Sequence, residues 1–264
     1  LISRSPYPAY DKRLLLDYLA NTIKEKDHFL AHPDSYQQDT INFLKECEVI
    51  SIAPVRKQVS YKTRAGRRES LDYDLLAVCS GTKTVLPEVD GIHKEGIYTL
   101  DSLSDFKSFR SHLISDPVCI MGNGSAALSV AQALSRRQKE VKVISRDIAA
   151  SQGGFETIAT DVVELIGEAG IQAIRLREGK IIGTSLPVFM PEPKKANADF
   201  LKDVETDEHG SILVDGSMRT SIDNIFACGS VCAARGCAAK NKSWDDVIIE
   251  SKVCAEQIGL VTGG

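Results

Sequence analysis

Gly122, Gly124 and Ala127 stand in the stretch "GNGSAA" as a G-x-G-x-x-A array, directly after an apolar run at 118–121 and ahead of a helical pattern. In such an array the first glycine allows a tight turn, the second lets a pyrophosphate approach the backbone, and the third small residue lets helix and strand pack closely. Asn123 lies inside the loop, and Ser125 and Ala126 would offer the free N–H groups of a helix N-terminus to phosphates. The same spacing also serves as a tight turn with no ligand. It is not a G-x-S-x-G nucleophile elbow.

Two residues further on could read the rest of a dinucleotide. The next apolar run, 141–144, ends in Ser145 and Arg146, where a carboxylate would ordinarily hold the ribose hydroxyls. A guanidinium there suits a 2′-phosphate, which favours NADPH over NADH. The plainer alternative is a solvated charge at a strand end. Asp147 lies one step on.

The remaining chemistry-capable residues point less sharply. Seven cysteines cannot all pair, most lie in apolar runs, and no CxxC is present, so the usual dithiol redox pair is not expected. That usage suits a reducing, cytoplasmic setting. Cys228, Cys232 and Cys237 match no standard zinc or iron–sulfur spacing, and no metal site is assigned. Cys232 could be a reactive thiol if a helix start lowers its pKa. His28 and His32 are expected on a solvated face.

The elements that must position these residues follow from periodicity. Ala127, Val130, Ala131 and Leu134 recur at i, i+3, i+4, i+7, one helix face between two short strands. A further helix is expected over 156–169 with Gly170 as its stop, a polar helix over 105–115, and a last helix over 244–258. Residues 14–30 also read as helical. Residues 41–79 are rich in strand patterns, with Gly66 in a turn between two of them. Strand, glycine turn, helix and strand in succession indicate an α/β fold with a parallel sheet. A net charge of −4 gives no reason to expect nucleic acid, and no run reaches the ~18–20 apolar residues of a membrane span.

Several segments together resemble the FAD-dependent pyridine nucleotide-disulfide oxidoreductase superfamily, in its rubredoxin-reductase, NADH-oxidase and nitrite-reductase-large-subunit branch. "YPAYDKRLLLDYL" is similar to a segment that family places near the flavin. "LDYDLLAVCSGTKTVLPEVDG" resembles its Y-D-x-L-x-x-A-T-G-S-x-P strand, and "GIYTLDSLSDFKSFRSHL" its crossing into the NAD domain. "DEHGSILVDGSMRTSIDNIFACGSVCA" resembles its second flavin motif, M-R-T-S-x-x-x-I-Y-A-x-G-D. "SWDDVIIESKVCAEQIG" resembles its closing helix. The likeness covers nearly the whole chain, with the motifs in order.

The resemblance implies two Rossmann-like domains, an NAD(P) domain set into an FAD-type domain: residues 1–107, then 108–200, then 201–264. It assigns Cys79, Ser80, Gly81, Thr82, Gly229, Ser230 and Val231 to FAD, the Gly122 loop with Ser145 and Arg146 to NAD(P)H, and Lys12 to the flavin ring, unless Lys12 is a solvated lysine at a helix start. The implied activity is hydride transfer from NAD(P)H to flavin, then onward to an unassigned acceptor: a redox protein, a partner subunit or oxygen. An oligomer is in keeping with it.

Three departures bear on this. Ser230 stands where the family has an aspartate. The first flavin glycine loop is expected upstream of residue 1, because Ile2-Ser3-Arg4 echoes Ile144-Ser145-Arg146. The NAD(P) domain is expected to be short, without its β-meander between Gly170 and Asn197, and the family's C-terminal dimerisation domain is expected beyond this sequence. These departures leave open a non-catalytic nucleotide-binding or structural subunit with an eroded flavin site. A thiol reductase using Cys232 or Cys237 is a third reading.

Overall fold

The structure, a computed structural model, describes residues 1–30, 32–38, 41–113, 117–122, 124–146, 154–191, 194–236 and 244–262. Asn123, Asp147 and Cys237 lie outside the described residues. The short helices α1 (Leu15–Leu19) and α2 (Pro33–Gln38) come first. The strands β1 (Cys47–Ala53), β2 (Gln58–Thr63), β3 (Arg68–Asp72), β4 (Leu76–Val78) and β5 (Thr82–Lys83) follow. Next are α3 (Leu103–His112), β6 (Val118–Gly122), α4 (Ser125–Arg136), β7 (Val141–Ile144) and β8 (Glu156–Ile158). Then come β9 (Val162–Ile166), β10 (Ala173–Leu176), β11 (Ile181–Gly183) and β12 (Leu186–Met190). The last elements are β13 (Lys195–Ala196), β14 (Ile212–Val214), β15 (Ile225–Ala227), β16 (Cys232–Ala234) and α5 (Trp244–Thr262).

The chain forms two compact units: residues 1–6, 37–83 and 194–264, and residues 7–36 and 84–193. In the second unit β12, β6, β7 and β8 make a parallel sheet in that order. Its strands β6 and β12 are buried on both faces, as the inner part of a parallel sheet requires: Val118, Cys119 and Ile120 are fully buried. Ala127, Val130, Ala131 and Leu134 of α4 pack on one side with Phe106 and Phe109 of α3. Met121, Ile144 and Phe189 face a separate cluster with Leu165, Ile174 and Leu176. Helix α3 begins with a capping box, Asp105 N–H donating to Ser102 Oγ while Ser102 N–H donates to Asp105 Oδ2 at 2.8 Å.

The helix expected over 156–169 is absent. Those residues form β8 and β9, and β9 joins β10 and β11 in an antiparallel sheet. Thr157, Ile158, Thr160, Val162, Val163 and Ile166 are β-branched, and their stiff side chains fit a pleated surface better than a helical turn. An antiparallel sheet is therefore present after all, starting before Gly170, where the expected shortening assumed helix. Residues 14–30 also differ: α1 is five residues long, and a 3₁₀ turn follows at Glu25–His28. His28 is fully buried, not solvated; its Nδ1 sits 3.0 Å from the Glu25 carbonyl and its ring meets Tyr18 edge-on.

In the first unit β1, β2 and β3 form a meander turned at Gly66, with Val59 and Tyr61 buried on alternate positions of β2. β15 pairs with β4 and β14 with β16, both parallel, and β13 pairs with β5 antiparallel. The core gathers Val78, Ile212, Val214, Ile225, Phe226 and Val231, with Cys254 of α5.

Candidate nucleotide-binding sites

In the second unit the glycine array lies at the C-terminal end of β6 and opens α4. This is the strand end at which open α/β sheets take ligands. Gly122 is in register with Met190 of β12, and a Cβ on it would come 2.3 Å from the Met190 carbonyl oxygen. Strand packing as well as the turn demands glycine there. Gly124 is the N-cap of α4 at φ 95° and ψ −179°, a conformation essentially reserved for glycine, and it supplies no side-chain cap. The first N–H groups of α4 are thus left by the cap for an anion. Ser125 is exposed at this end, while Ala127 is fully buried and acts only in packing. Gly122 and Gly124 suit the approach of a pyrophosphate.

β7 ends at Ile144, the Ser145 N–H donates to the Ile158 carbonyl at 3.1 Å, and Arg146 emerges exposed. The Arg146 guanidinium is in an ion pair with Asp161, whose carboxylate also takes Arg177 Nη2 at 2.7 Å. Asp161, the partner of the candidate residue Arg146, was not singled out from the sequence. Its signal was faint, a lone carboxylate in a segment taken for helix.

In the first unit two loops converge through strand pairing. Residues 79–82 leave β4, and Gly229–Val231 form a 3₁₀ turn after β15. The pairing Ala227↔Val78 and the bond from Cys228 N–H to the Val78 carbonyl (3.1 Å) set them side by side. Ser80 Oγ donates to the Asn197 carbonyl at 2.6 Å and Asn197 N–H to the Gly81 carbonyl at 2.9 Å, while Thr82 pairs with Ala196. Gly81 sits at φ +66° with open space where a Cβ would point, and Gly229 at φ +79°. Gly81 leaves bare backbone open at the turn, which suits close approach by a cofactor such as FAD, whereas Gly229 is buried against Val247 of α5. Ser230 is exposed; Val231 is fully buried, so only its backbone could face a ligand.

A carboxylate does reach this turn, but from another element. Glu250 of α5 accepts from Gly229 N–H at 3.1 Å, with Cys232 Sγ at 3.9 Å from the same oxygen. Glu250 lies three residues after Val247 and four before Cys254, on the face of α5 that turns inward. That spacing was the available signal. Cys79 Sγ and Cys228 Sγ are 3.3 Å apart. Lys12 is exposed in a 3₁₀ turn of the second unit, beside Asp11, whose carboxylate binds Arg13 through Nη2 at 2.6 Å. The Arg13 hydrogen bonds hold the Asp11 carboxyl below the ordinary range despite its burial. Among the described residues, no three His, Cys, Asp or Glu side chains could hold a metal ion, and no helix is long and apolar enough to cross a membrane.

The family described as pyridine nucleotide-disulphide oxidoreductase matches residues 6–178 and 158–259. An NAD(P)H sulfur oxidoreductase (CoA-dependent) of Pyrococcus furiosus is 23% identical over 94% of this chain and 60% of its own length. An NADH-rubredoxin oxidoreductase of Clostridium acetobutylicum is 26% identical over 89% of this chain and 62% of its own. The chain therefore spans about three-fifths of the length of these curated relatives. Among solved structures, the water-forming NADH oxidase of Lactobacillus brevis bound to NADH aligns with a TM-score of 0.86 at 18% identity. The alignment covers 97% of this chain and 62% of that one.

Proposed function

The chain belongs to the pyridine nucleotide-disulphide oxidoreductase family, and from that premise we propose that it works as an FAD-dependent NAD(P)H oxidoreductase. The observation that carries this reading is the start of α4, where glycine at φ 95° leaves a helix N-terminus without a side-chain cap directly after a parallel strand. Bound together, FAD and NAD(P)H supply hydride transfer from nicotinamide to flavin. The chain's own part is to bind and orient. The first N–H groups of α4 receive the pyrophosphate of NAD(P)H, and Arg146 is placed for a 2′-phosphate, so NADPH is the favoured donor. Cys79, Ser80, Gly81 and Thr82, with Gly229, Ser230 and the Val231 backbone, take FAD. Lys12, which the resemblance assigns to the flavin ring, belongs to the other unit and is left out of this set. The acceptor is a redox protein, a partner subunit or oxygen; the relatives' names, a rubredoxin reductase and a water-forming oxidase among them, span that range. The cysteine usage, mostly in apolar runs and without a CxxC, supports a cytoplasmic setting.

A second reading is a nucleotide-binding subunit without a working flavin site. Its support is Glu250, which already occupies the Gly229 N–H, together with Ser230 where the resemblance places an aspartate. One anaerobic experiment separates the two. Protein mixed with FAD is titrated with NADPH while protein-bound flavin absorbance is followed. Loss of the oxidised-flavin band upholds the oxidoreductase. NADPH binding by calorimetry, with no flavin retained, replaces it with the subunit reading.

A further inference from the structure

The ends of β4 and β15 carry two cysteines that are 149 positions apart in sequence, with sulfurs 3.3 Å from each other. They occupy the positions directly after the register pair Ala227↔Val78 on neighbouring parallel strands. Adjacent strands lie about 4.8 Å apart, within the Cα separation of about 4.4–6.8 Å that a disulfide spans. Cys79 is exposed and Cys228 is 4% exposed. Around Cys228 stand Ser251 Oγ at 3.8 Å and the buried Cys254 thiol of α5. Cys79 lies in the loop proposed for FAD, but neither sulfur has a part in the proposed hydride transfer.

We propose that Cys79 and Cys228 are a redox-active dithiol, closed to a disulfide by hydrogen peroxide and reopened by thiol reductants. The reasoning is independent of which cofactors the chain binds. Hydrogen bonds from Cys79, Ser251 and Cys254 draw the Cys228 thiol below its ordinary range, against burial and the Glu250 charge. Cys79 and Cys254 are pushed the other way and remain thiols, Cys79 by that same bond and Cys254 by burial. Cys228, whose sulfur lies 3.3 Å from Cys79 and accepts from Ser251 Oγ at 3.8 Å, is assigned as the nucleophile, and the exposed Cys79 as the resolving thiol.

In the first step the Cys228 thiolate attacks one peroxide oxygen. The S–O bond forms, the O–O bond breaks, and the departing hydroxide takes the Cys79 proton to become water. The Cys79 thiolate then attacks the Cys228 sulfur. The S–S bond forms, the S–O bond breaks, and hydroxide leaves with a solvent proton as a second water. Two sulfurs lose two electrons and one peroxide gains them.

The test uses the whole chain, fully reduced, treated with a small excess of hydrogen peroxide, alkylated, digested and mapped by mass spectrometry. Two of the seven thiols are expected to disappear into one linked Cys79–Cys228 peptide pair, and dithiothreitol should restore both. The reaction should run at least ~10-fold faster than in urea, where the pair is dispersed. Cys79→Ser, at an exposed position, should leave a sulfenic acid on Cys228 that dimedone captures. Cys254→Ala should still form the link. A link to Cys232 or Cys254 instead, over-oxidation of Cys228 while Cys79 stays reduced, or equal rates in folded and unfolded chain would each overturn the proposal.

Discussion

In the proposed reading Arg146 is the residue on which cofactor choice turns, and the fold gives it a competitor. Its guanidinium is paired with Asp161, so a 2′-phosphate must displace or share that carboxylate. Asp161→Asn should therefore raise the preference for NADPH over NADH by roughly three- to tenfold, an effect of about 1 kcal/mol on a charge-assisted contact. Arg146→Ala should remove the preference altogether. Kd values for both nucleotides by fluorescence titration check this, and a ratio unmoved in both variants would leave Arg146 a solvated strand-end charge. The conformations of both glycines were legible because they depend on residue type and spacing. The Asp161 pairing was not, since Asp161 itself lies between β8 and β9, in a segment that the local pattern presented as a helix. The Cys79–Cys228 pair escaped for a related reason: a CxxC search sees neighbours in sequence, and these thiols become neighbours only through the pairing of β4 with β15.

Among the elements, the short pairing of β5 with β13 holds the 79–82 loop in place. Asp199 clamps it, its carboxylate bound by Lys83 of β5 and by Lys195 of β13 at 3.1 Å. Those two lysines pull the Asp199 carboxyl from its ordinary 3.8 down to about 2. A depressed carboxylate stabilises the fold above its unfolded pKa, and that contribution is lost as pH falls through the folded value. Asp199→Asn should therefore melt below the wild type at pH ~5–7, with the gap shrinking between pH ~4 and ~2. Because the clamp is at the surface, molar salt should narrow the gap at neutral pH too. A gap independent of pH would mean that the ion pairs contribute nothing. The elements were legible where one periodicity dominated. α4 shows its i, i+3, i+4, i+7 face, and all four residues are buried as expected. β8 and β9 were not, because Ile158, Val162, Leu165 and Ile166 fall on helical spacing by coincidence, and their β-branching is the deciding property.

For the whole molecule, the order of motifs conveyed more than any one motif, and it led to the two-nucleotide reading. The echo between Ile2-Ser3-Arg4 and Ile144-Ser145-Arg146 has a structural counterpart: Ser3 N–H donates to the Leu44 carbonyl at 2.9 Å as Ser145 N–H does to Ile158. Which residues make each core was less legible, since contacts between distant segments carry no local pattern. The core of the first unit and the two clusters of the second share no side chain. A ligand that binds one unit should then protect that unit's backbone. NADPH at a hundred times its Kd stabilises what it binds by about 2.7 kcal/mol. Hydrogen exchange should slow accordingly in β6, β7 and α4. Leu134→Ala, which empties a fully buried position of that core, should cost about 2–5 kcal/mol and offset most or all of that gain in the same segments. Gly124→Val should abolish the protection and, because φ 95° strains a β-branched residue, also lower ligand-free stability, though less than Leu134→Ala if the helix stays packed. FAD should instead slow exchange in β4, β15 and β16. NADPH protection that falls on β15 and β16 and spares α4 would overturn the assignment of nucleotides to units.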